Sequence, residues 1–85
     1  MGMIYQLNWK TLPGLRGLSC SEFHARPTNA PDNERGVAIA CAGEAERDAL
    51  LKRLEDYFAP QRFSNAAAAF EAVKACALEW AAKGL

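Results

Sequence analysis

Eighty-five residues leave room for one hydrophobic core, so residues 1–85 are read as a single domain. Ten basic and ten acidic residues cancel, and the longest like-charge run is a pair such as Lys52-Arg53, so the electrostatic footprint of nucleic-acid binding is missing. No apolar stretch approaches the length needed to cross a bilayer, and the start lacks a basic segment leading into an apolar one. A cytoplasmic protein without membrane attachment is therefore expected.

Half of the residues are apolar, but seventeen are alanine, so the core is thin in bulk. A partner that adds burial would help so small a domain, which makes a homodimer an expectation to test. Cys20, Cys41 and Cys76 are odd in number and widely spaced, unlike a secreted disulfide framework or a short-spaced metal site. Core packing in a reducing compartment is the expected use of all three, with no metal and no cofactor.

In chain order, residues 3–9 alternate, with Met3, Tyr5, Leu7 and Trp9 on one face and Ile4, Gln6 and Asn8 on the other, which predicts a strand. Residues 10–17 contain Pro13-Gly14 and Gly17 and predict a connector. From Leu18 to Ala25 neither face is cleanly apolar, and an edge strand is the reading. Arg26 to Glu34, with two prolines, two asparagines and Asp32, predicts the longest and most mobile loop. Gly36 to Cys41 predicts a strand buried on the side of Val37, Ile39 and Cys41.

A helix is predicted from Glu44 to Phe58, because Glu44, Glu46 and Asp48 crowd its positive end, the leucines recur at helical spacing, and Pro60 follows. A second is predicted from Ala66 to Lys83, capped by Ser64 or Asn65 and stopped by Gly84, with a stripe of Ala66, Phe70, Val73, Ala77, Trp80 and Ala81. Ala68, Ala72, Ala75 and Ala82, with Leu78, lie off that stripe and form a candidate self-association surface. The order predicts an α+β fold, a mainly antiparallel three-stranded sheet with two C-terminal helices on one face. Arg62-Phe63 offers a fourth short strand as an alternative.

The string Glu22-Phe-His-Ala-Arg-Pro27 sets a carboxylate, the single imidazole and a guanidinium at alternate positions, so a regular strand would aim all three one way. That pattern suits anion binding or a general base held by Glu22, or a solvated edge whose charge blocks aggregation. It also resembles, together with the following Asn33-Glu-Arg-Gly-Val-Ala-Ile, an N-terminal segment of an uncharacterised family of larger bacterial membrane-associated proteins. The family has no activity that the resemblance could carry over, and the likeness covers less than half of the chain.

The reading preferred from sequence is a small non-enzymatic protein-binding module, such as a bacterial or mobile-element inhibitor or regulator. Its expected anchors are Phe23, His24, Arg26 and Arg35, since aromatic and arginine side chains dominate binding hot spots. The alternatives are a small anion-binding or catalytic protein using Glu22, His24 and Arg26, and nucleic-acid binding through Arg47, Lys52, Arg53 and Arg62.

Overall fold

The computed structural model describes residues 2–27 and 36–84. Three strands, β1 (Met3–Leu12), β2 (Ser19–Pro27) and β3 (Val37–Cys41), are followed by two helices, α1 (Glu44–Phe58) and α2 (Ala66–Lys83). The sheet order is β2-β1-β3, and both pairings are antiparallel. The first strand in sequence is thus the central one, and the other two are the margins. Both helices lie on one face of the sheet, as the α+β pattern predicts.

The inner face is apolar because alternate residues of each strand point to it. Tyr5 and Leu7 of β1, Val37, Ile39 and Cys41 of β3, and Phe23 and Ala25 of β2 are buried there, against Leu50, Leu54 and Phe58 of α1 and Ala69, Val73 and Ala77 of α2. Around them Trp9 stacks on Phe23 with centroids 6.1 Å apart and meets Phe70 at 5.5 Å, while Phe23 lies 6.1 Å from Phe58. Aromatic area thereby offsets the small volume of the many alanines.

β1 runs three residues past its predicted end at Trp9, since Lys10, Thr11 and Leu12 pair with Ser21, Cys20 and Ser19. The connector shrinks to a tight reversal in which the Gly17 amide donates to the Gly14 carbonyl. Gly17 is needed there: its φ is +121°, and a Cβ would stand 2.6 Å from the carbonyl oxygen of Phe63. That close approach comes from two backbone bonds between Leu18 and Phe63, each 2.8 Å long. The suggested fourth strand is therefore one antiparallel bridge, too short to extend the sheet.

β2 contains a bulge. Asn8 pairs with His24 but Lys10 with Ser21, so β2 has one residue more than β1 across this stretch, and Glu22 adopts φ +53°. The extra residue swaps the inward phase of the strand: Cys20 points in before it, and Phe23 and Ala25 after it. This accounts for the mixed alternation of the segment.

The helix ends follow their local chemistry. At the start of α1, Glu46 accepts from the Ala42 amide at 3.1 Å, satisfying a donor just ahead of the Gly43 cap. Asn65 caps α2, its Oδ1 accepting from the Ala68 amide at 2.8 Å, and Gly84 closes it in the left-handed region. The buried stripe of α2 differs from the predicted one at its first turn. Ala66 is exposed and Ala69 is buried. Tyr57 of α1 is half exposed, its ring set edge-on against Trp80 at 5.3 Å.

Candidate functional site

The outer face of the sheet grades from charged to apolar across its three strands. Paired residues share a face, so Arg26, Gln6 and Ala38 form one row, His24 and Asn8 another, and Ile4 stands beside Ala40. The β2 end of each row is charged or imidazole. The β3 end is aliphatic.

The expected constellation on β2 is only partly assembled. Glu22, His24 and Arg26 are all exposed. The Glu22 carboxylate, however, pairs with Lys10 of β1 at 3.5 Å, and His24 Nδ1 lies 3.3 Å from the carbonyl oxygen of Glu22 instead of its carboxylate. The bulge is the reason: the left-handed turn at Glu22 sends its side chain toward β1. No hydrogen bond or ion pair joins Arg26 to Glu22 or His24 among the described residues. The geometry in which Glu22 holds His24 as a base is thus not formed.

Phe23 also departs from its expected role as a contact anchor. It is 8% exposed and lodged between Trp9 and Phe58, since the bulge places it on the inner phase of the strand. Arg35, and most of the loop expected between Arg26 and Glu34, lie outside the described residues.

The arginines and lysine of the nucleic-acid alternative are occupied locally. Arg47 bonds Asp48 at 2.9 Å, sits over the Tyr5 ring at 5.3 Å and reaches the Ala25 carbonyl at 3.4 Å. Lys52 pairs with Asp56, Arg53 lies 4.3 Å from the centre of the Trp80 ring, and Arg62 donates to the carbonyls of Ala59 and Gln61.

The three thiols are free, with Cys20 and Cys41 buried and Cys76 half-buried. Burial pushes all three up from the ordinary thiol range, and Glu46 near Cys41 and Glu79 near Cys76 add to the effect. They are therefore poor nucleophiles at neutral pH. Among the described residues no three His, Cys, Asp or Glu side chains cluster closely enough to hold a metal ion, and no helix is long and apolar enough to cross a membrane.

Two hollows remain. One, of about 380 Å3, lies between β2 and the end of α1 and is lined by Ser19, Cys20, Ser21, Glu55, Asp56, Ala59 and Arg62. The other, of about 300 Å3, follows the β3 margin, where Ile4, Ile39 and Leu78 surround four alanines, Ala38, Ala40, Ala81 and Ala82. Its lining has no charged side chain. Ile4 is 48% exposed and Leu78 43%, so two branched side chains stand proud of an alanine floor.

No family model, curated protein or solved structure matches this chain. Sequence reasoning picked out Leu78 and Ala82 as part of a contact surface on α2, but not their meeting with Ile4, Ala38 and Ala40. Those three are brought there by the sheet order, and the signal available was the clean aliphatic outer face of β3.

Proposed function

We propose that this chain is a small non-enzymatic protein-binding module, and that its contact surface is centred on the groove along β3 and α2. The observation that carries the reading is the uncharged groove with Ile4 and Leu78 half exposed beside it. An apolar hollow rimmed by exposed branched side chains is the kind of surface that gains from being covered, and its lack of charge selects an aliphatic segment of a protein.

The expected anchors His24 and Arg26 take a different place in this reading. They stand at the far end of the same outer face, two strand spacings or roughly 10 Å from β3. They act as the polar rim of a contact whose centre is aliphatic, and rim charges set association rate more than affinity.

Selection of displayed peptides on the wild-type chain tests the proposal. The selected segments should be aliphatic and uncharged, and they should lose binding to Leu78→Glu while retaining it to Lys52→Glu on the opposite flank. Binders that tolerate both Ile4→Glu and Leu78→Glu would remove the groove from the function.

A further inference from the structure

We infer that the groove's occupant is the same groove of a second copy of the chain, an inference that rests on the contact surface just proposed. In a two-fold contact each patch meets itself, so every residue on the axis faces its own copy, and any charge near the axis faces a like charge. The β3 margin suits this condition, because its lining is aliphatic throughout. The β2 margin does not, since Lys10, Glu22, His24 and Arg26 are exposed on or beside it.

Shape gives the second argument. A two-fold contact must supply both ridge and hollow from one surface. Ile4 and Leu78 are exposed ridges, and Ala38, Ala40, Ala81 and Ala82 are the hollow between them. Placed face to face, the branched side chains of each copy fill the alanine floor of the other. The alanines also let α2 of the two copies approach closely, as helices do where small residues meet.

Size sets the strength. A standard interface needs about 800 Å2 from each partner, a large share of the 5482 Å2 this chain exposes. The groove supplies only the centre of such an area, so the association is weak.

Sedimentation velocity on the full chain, from about 10 μM to about 1 mM, where a weak association populates both monomer and dimer, tests the inference. The wild type should shift from monomer to dimer across the range. Leu78→Glu and Ile4→Glu should each weaken the dimer at least about tenfold, since each buries a carboxylate in the contact. Their circular dichroism should be unchanged, because both positions are half exposed in the monomer. Lys52→Ala, on the opposite flank where Lys52 pairs only with Asp56 of its own helix, should leave the dimer as it is.

A monomer at every concentration would overturn the second copy as occupant, and so would a dimer indifferent to both glutamates. The underlying reading fails separately. If the wild type is monomeric but Leu78→Glu abolishes binding of the selected aliphatic peptides, the groove stands and only the self-contact falls. If neither the dimer nor the peptides respond to Leu78→Glu, both fall.

Discussion

The two margins of the sheet are built on opposite plans. β2 carries Glu22, His24 and Arg26 outward, ends at Pro27 and is broken by a bulge, devices that keep a sheet margin from pairing with another chain. β3 is five residues long, carries no charge and turns only alanine outward. On the proposed reading, the charged and chemically conspicuous residues form only the rim of the contact, and the plain aliphatic margin forms its centre.

The largest expected effect breaks the notion of β2 as a surface of anchors. Phe23→Ala should destabilise the fold by about 3 kcal/mol, read as a lower urea midpoint, because the ring is shared by Trp9 and Phe58 in the core. A residue serving only a partner would leave the midpoint unchanged.

A smaller effect sharpens the role of the bulge. Glu22→Gly should stabilise the chain by about 0.5 kcal/mol, since removing a side chain from the left-handed region outweighs the added freedom of the unfolded glycine. The exposed pair with Lys10 contributes little in return. A marked loss of stability in thermal melts would mean that the pair, and not the backbone, fixes the bulge.

The least effect compares the margins through Cys20 on β2 and Cys41 on β3. Burial raises both thiols in the folded state, so folding holds these protons more tightly than the unfolded chain does. Stability from this source is complete below the unfolded thiol pKa of about 8.5 and is lost as pH rises beyond it. Urea midpoints should therefore decline from pH 7.5 to about 9.5, and the decline should shrink in the Cys20→Ala, Cys41→Ala double variant. A midpoint that holds steady in the wild type would contradict the burial of the thiols.

Much of the fold could be read along the chain because the signals are local. Glu44 to Phe58 and Ala66 to Lys83 are helices with the predicted bounds: carboxylates, Asn65, Pro60 and Gly84 act within a turn of themselves. Val37, Ile39 and Cys41 are buried because bulky residues on a short strand have one apolar side to choose. The bulge was visible only as noise. Cys20 and then Phe23 with Ala25 are apolar in two phases, and one inserted residue turns that conflict into a continuous inner face.

By itself the sequence determined which segments are strands and helices, and that the thiols and aromatic rings belong mainly inside. Period, capping and turn chemistry operate between near neighbours, and these residues carry them. The tertiary structure decided that β1 is central, that Glu22 turns to Lys10 instead of His24, and that Ile4 from the first strand joins Leu78 from the last helix in one groove. Those outcomes depend on pairing between segments far apart in the chain, where burial of the whole inner face selects one arrangement and no single segment encodes it.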